Sequence, residues 1–176
     1  MTWRTHIVIG VNTLWIVPLV GKIDNSIITL IPVAALASLL PDVDAVYAKI
    51  HYIGGGLLQF TQGKFSGKYF SHRGLMHSFF IALVFALILA FFFAKSIPWL
   101  PVVFFLAYMS HGVVDGFNRP VGLLYPVYMK KFALLPRALW TPVNGFTDNI
   151  IFILGSFSFL LLCWVIYNSF AGSGLF

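Results

Sequence analysis

Residues 74–94 contain no Asp, Glu, Lys or Arg, and neither do residues 149–170. A helix needs roughly 20 apolar residues to cross the hydrocarbon layer of a bilayer, so each run is long enough to span it. The rest of the chain agrees. It is 60% hydrophobic and only 9% charged, against about 25% charged in an ordinary soluble domain. So few charges cannot cover a water-facing surface, and lipid is the expected solvent for much of the molecule.

Three further apolar segments complete the expected architecture. Residues 97–117 follow a proline-containing turn and end polar. Residues 3–20 and 27–40 are short, and read as a helical hairpin joined by the turn 21–26, with Pro41 ending or kinking the second helix. The expected fold is therefore all-α, a polytopic membrane bundle of about five transmembrane helices, as one domain over residues 1–176. The amino end lacks the basic stretch and small-residue cleavage site of a signal peptide, so the first segment is read as retained. Cys163 excludes an intrachain disulfide and a cysteine-rich zinc site.

The ionisable groups are not scattered. The chain has five Asp, no Glu and five His. Threading the five segments back and forth places His6, Asp42, Asp44, His72, His77, His111, Asp115 and Asp148 at segment ends on one side of the membrane. Carboxylates and imidazoles gathered at one depth point to a metal site at the bilayer surface. The same side carries 9 of the 11 basic residues, and the other only Lys22 and Lys95. The positive-inside rule then predicts a cytoplasmic site and amino terminus, with the carboxyl end outside. The net charge of +6 is dispersed through loops, which suits membrane orientation better than nucleic-acid binding.

Local spacing sharpens the expectation. In His111-Gly-Val-Val-Asp115 the two side chains share a helix face one turn apart. A carboxylate at a membrane helix end is costly unless paired. In Leu40-Pro41-Asp42-Val43-Asp44, proline exposes two carboxylates that repel unless a cation lies between them. In His72-Arg73-Gly74-Leu75-Met76-His77-Ser78, His72 precedes a helix and His77 lies about one turn inside it, with Ser71 or a neighbour as the cap. Such a helix start favours an anion, and Arg73 could hold a phosphate through two nitrogens. Taken alone, His6 reads as interfacial and Asp148 as the N-cap of the last helix. Two long loops, 45–73 and 116–147, mix aromatic and basic residues as headgroup-layer segments do.

Those elements, with Thr5-His6, occur in an order that resembles the YdjM-like family of LexA-regulated, inner-membrane, metal-dependent hydrolases. The resemblance runs from about Thr5 to Asp148, and its most specific part is His-Arg-Gly-x-x-His-Ser. It implies a bacterial inner-membrane location, with His6, Asp42, Asp44, His72, His77, His111 and Asp115 near the metal. The family often has Glu near Asp148, which implies a further ligand or base there. It usually has threonine where this chain has Met76. Family members are distantly similar in ligand order to zinc-dependent phospholipase C and P1-type nucleases.

The expected function is metal-dependent hydrolysis of a phosphate ester in a lipid or lipid-linked substrate, reached by lateral diffusion in the membrane. His72, His77, His111 and Asp115 are the expected ligands of one or two divalent ions. Asp42 or Asp44 would bridge or act as base, and Arg73 would hold the phosphate. Mixed imidazole and carboxylate ligands suit zinc, with manganese or iron as alternatives. The expected partners are membrane lipids, not nucleic acid. The competing reading is a non-enzymatic membrane protein, with either a structural metal site or the ion pathway of a small transporter. A nuclease is the third.

Overall fold

The computed structural model describes residues 1–24, 26–44, 73–140 and 142–172. Regular structure among them is helical apart from one isolated antiparallel bridge between Val121 and Phe132. The helices are α1 (Trp3–Asn12), α2 (Ile16–Val20), α3 (Ser26–Ala37), α4 (Phe79–Phe93), α5 (Leu100–Asn118) and α6 (Phe146–Gly172). Each apolar segment expected to be a span is helical. The first is α1 and α2 joined through the 3-10 turn Thr13–Trp15. The second is α3, followed by the 3-10 turn Leu40–Asp44 that contains Pro41.

Among the described residues, the segments Ser26–Val43, Leu100–Asn118 and Phe146–Gly172 are long and apolar enough to cross a membrane. Helix α4 has 15 residues. At 1.5 Å per residue that is about 22 Å, short of a full hydrocarbon layer.

The polarity pattern is that of a bundle solvated by lipid. Phe91, Phe157, Trp164 and Leu87 face outward, whereas His6, His77, His111, Asp115 and Asp148 are buried. Polar side chains in such a setting face one another because lipid offers them no hydrogen bonds.

Helix α5 is the centre and packs on α4, α3 and α1; α6 leans on α1. Small residues allow the closest approaches. Gly10 of α1 lies against Ser38, just past α3, and Gly155 of α6 lies against Val8 of α1. This is how helices associate where no hydrophobic force separates them from lipid. Two polar tethers add to the α1–α6 contact: Asn12 Nδ2 donates to the Gly155 carbonyl at 2.9 Å, and the Trp15 indole donates to Ser158 Oγ at 3.1 Å.

The start of the third segment differs from the expectation. His77 does not lie inside the helix. Leu75–His77 forms a 3-10 turn, Ser78 is the extended N-cap, and its hydroxyl accepts from Ile81 N–H. Serine directly before the apolar run is a favourable cap. The extended Ser78, and the Phe79 N–H donated to the Leu123 carbonyl at 2.9 Å, turn His77 towards α5 instead of along α4. Ser71 lies outside the described residues, as do His72 and the loop 45–72.

Candidate metal centre

Three segment ends supply the four residues of the centre. Asp42 comes from the 3-10 turn after α3, His77 from the turn before α4, and His111 and Asp115 from the last turns of α5. One potential ligand atom from each of these residues lies within 4.8 Å of all the others. His111 Nε2 stands 3.3 Å from Asp42 Oδ1, and His77 Nε2 stands 3.6 Å from the same oxygen. Tetrahedral ligands about 2.1 Å from a common zinc ion are about 3.4 Å apart, so these separations suit a shared ion.

The imidazole of His111 is oriented for that role. Its Nδ1 lies 2.6 Å from the Ser38 carbonyl oxygen. A carbonyl can only accept, so Nδ1 donates, and in the neutral ring the Nε2 lone pair points into the cluster, towards Asp42. Among the described residues His111 Nε2 has no hydrogen-bond partner although it is buried. A buried acceptor left without a donor is expensive in a protein interior and fits coordination of a cation. The backbone carbonyl behind the ring is the outer support that metal-bound histidines usually have.

Asp115 is the hub of a second group. Its Oδ2 accepts from Arg73 Nε at 2.7 Å, and its Oδ1 lies 3.4 Å from His6 Nε2 and 3.2 Å from the Met1 amino nitrogen. The His6 ring is stacked on His111 with centroids 3.8 Å apart, and the His77 ring meets His111 edge-on at 5.0 Å. His6 is therefore beside the four-residue group, in contact with Asp115. Arg73 adopts a left-handed backbone, φ 63°, which costs a non-glycine residue energy. Its carbonyl accepts from Gly122 N–H at 2.9 Å, so the loop after α5 holds it in place.

Asp148 lies elsewhere. Its carboxylate accepts from Thr5 Oγ1 at 2.5 Å, Thr2 N–H at 3.0 Å and Asn144 N–H at 2.8 Å. It clasps the first turn of α1 to the start of α6, one residue away from His6. Asp44 closes the turn after Asp42; its side chain, like the whole of His72, is outside what is described. The sequence did not point to the Ser38 carbonyl, to the clasp of Thr2 and Thr5 on Asp148, or to Arg73 as a partner of Asp115.

The sequence matches the family model of the YdjM inner membrane protein over residues 1–172. The chain belongs to that family. Comparison with curated proteins and with solved structures found no match. Family membership and the apolar helices together make this a membrane protein, and the YdjM fold here carries an Asp/His cluster able to hold a metal ion.

The clasp makes a prediction. Asp148→Asn keeps the shape but turns one acceptor into a donor facing N–H groups. We expect the metal to be retained, with affinity lowered by less than the about 10- to 100-fold that loss of a group bonded directly to a ligand costs, because Asp148 bonds Thr2, Thr5 and Asn144 and none of the four cluster residues; competition against a chromogenic chelator measures it. Complete loss of metal at an unchanged Tm would contradict a purely structural role for Asp148.

Proposed function

We propose that this protein is a membrane-embedded, metal-dependent hydrolase that cleaves a phosphate ester of a lipid or lipid-linked substrate. The observation that carries the reading is the convergence of Asp42, His77, His111 and Asp115 at the ends of apolar helices. Zinc is the favoured ion, from the donor set. The excess of basic residues on the same side argues for the cytoplasmic face.

A divalent ion bound there would supply a water that ionises near neutral pH and a Lewis acid for phosphoryl oxygens. The protein's own groups supply the rest. His77, His111 and Asp115 are buried, whereas the Asp42 side chain keeps 24% of its exposure. A hydrolytic site needs one open position and a structural site does not, so Asp42 marks the side from which substrate approaches. Its second carboxylate oxygen is suited to accept a proton there. Arg73 uses Nε on Asp115, and the remaining guanidinium N–H groups could bind a phosphoryl oxygen. Arg73 would thus hold both a ligand and the substrate.

The test is release of phosphate or headgroup from phospholipid and polyprenyl-phosphate substrates by metal-loaded protein in detergent or nanodiscs. Turnover that disappears in His111→Ala and in Asp115→Ala supports the assignment. Metal and turnover retained in both variants would show it to be wrong. Stoichiometric metal without hydrolysis of any such substrate would favour the structural-site reading.

A further inference from the structure

The loop after α5 has no acidic residue between Asp115 and Asp148, while it carries Arg119, Lys130, Lys131 and Arg137. It is built as a ledge. Its inner side is fixed: Val121 and Tyr125 are buried, Val121 pairs with Phe132, and Leu134 N–H donates to the Gly116 carbonyl at 2.6 Å. Its outer side combines exposed apolar groups, Leu124, Val127, Tyr128 and Leu139, with exposed Arg119, Lys130 and Arg137. Val127 is 90% exposed. A water-facing loop gains nothing from such an apolar tip, whereas the headgroup layer accommodates apolar, tyrosine and basic groups together.

The ledge also touches the centre. Gly122 N–H holds the Arg73 carbonyl, the Leu123 carbonyl holds Phe79 N–H, and a Cβ on Gly112 would meet both the Leu123 side chain and the His77 carbonyl. The ledge is therefore anchored directly to the segments that carry Arg73 and His77.

We infer that the 119–140 ledge is a binding surface for anionic phospholipids, with Arg119, Lys130 and Arg137 contacting headgroup phosphates and the Leu124–Val127–Tyr128 tip inserted at the boundary between headgroups and acyl chains. The charge is complementary, the apolar tip requires a membrane and not a soluble anion, and the fixed inner side keeps the surface beside the metal centre. The inference depends on the membrane location and not on hydrolysis, so either can fail without the other.

The test is native mass spectrometry of the detergent-purified full chain with equimolar phosphatidylglycerol and phosphatidylcholine, with and without chelator. The wild type should retain phosphatidylglycerol preferentially in both conditions. Each basic residue near a lipid surface contributes about fivefold, so the Arg119→Gln/Lys130→Gln/Arg137→Gln variant should lose at least about tenfold of that preference. Lys130→Gln alone, the mildest change, should lose a measurable part. Lys22→Gln/Lys95→Gln, at the opposite end of the sequence threading, should lose none. Equal retention of the two lipids by the wild type, or equal losses in the ledge and far-end variants, would overturn the inference. So would a preference that inorganic phosphate abolishes at millimolar concentration, since the ligand would then be a soluble anion.

Discussion

Replacing Asp115 by alanine should remove the metal and destabilise the bundle together. Asp115 is buried, accepts from Arg73 and lies beside His6 and the four-residue cluster. Its loss takes a ligand from the centre and leaves the Arg73 guanidinium without its carboxylate in a poorly hydrated site. Breaking a buried pair by deleting one partner costs about 3–5 kcal/mol. The expected result is metal content at background and a markedly lower Tm in detergent. Asp115→Asn separates the two effects: an amide oxygen still accepts from Arg73 Nε, so part of the stability returns while metal affinity stays low. Wild-type metal content in Asp115→Ala would show that this carboxylate is only a structural partner of Arg73.

Gly10→Val should damage the centre without touching it. Gly10 is one helical turn beyond His6, and any Cβ there would run into the Ser38 side chain and the Ala34 carbonyl. Ser38 also supplies the carbonyl that orients His111. Prising α1 from the end of α3 therefore moves His6 and the His111 support at the same time. Overpacking of this kind costs about 1–3 kcal/mol, and a displaced outer support should lower metal affinity about 10- to 100-fold. The same wedge in milder form, Gly10→Ala, should be rescued by Ser38→Gly. That second change removes the opposing Cβ and keeps the carbonyl. Metal titration and Tm of the single and double variants check this. Additive damage in the double variant would mean that the Gly10–Ser38 approach does not position the centre.

The helices were legible because lipid imposes a simple rule on sequence. Residues 74–94 and 149–170 carry no Asp, Glu, Lys or Arg, and residues this apolar fold only as lipid-facing or buried helices. The gathering of Asp42, His77, His111 and Asp115 was legible for the same reason: a costly group in a membrane helix needs a partner. What could not be read is register. Whether α1 meets α3 at Gly10 or a turn away decides if His6 reaches His111, and that depends on two small residues, which carry little pattern of their own. The Ser38 carbonyl is backbone, and backbone has no residue signature. Ser78 was different. A serine directly before Phe79 and an uninterrupted apolar run is a readable cap, and reading it would have placed His77 outside α4. For Asp148, its position at the start of the last helix suggested a cap. The structure puts it in the first turn, where it accepts from Asn144 N–H and also, across the sequence, from Thr5 and Thr2; no local pattern encodes the last two contacts.

Asp42, His77, His111 and Asp115 are placed to hold a metal ion together. Elemental analysis of detergent-purified protein, beside the His77→Ala/His111→Ala double variant, tests this most directly. About one to two divalent ions per chain in the wild type, lost in the variant, is the result expected of a His/Asp hydrolytic centre. A wild-type protein that stays free of metal after reconstitution with zinc, manganese and iron would contradict the claim and leave a buried polar cluster in its place.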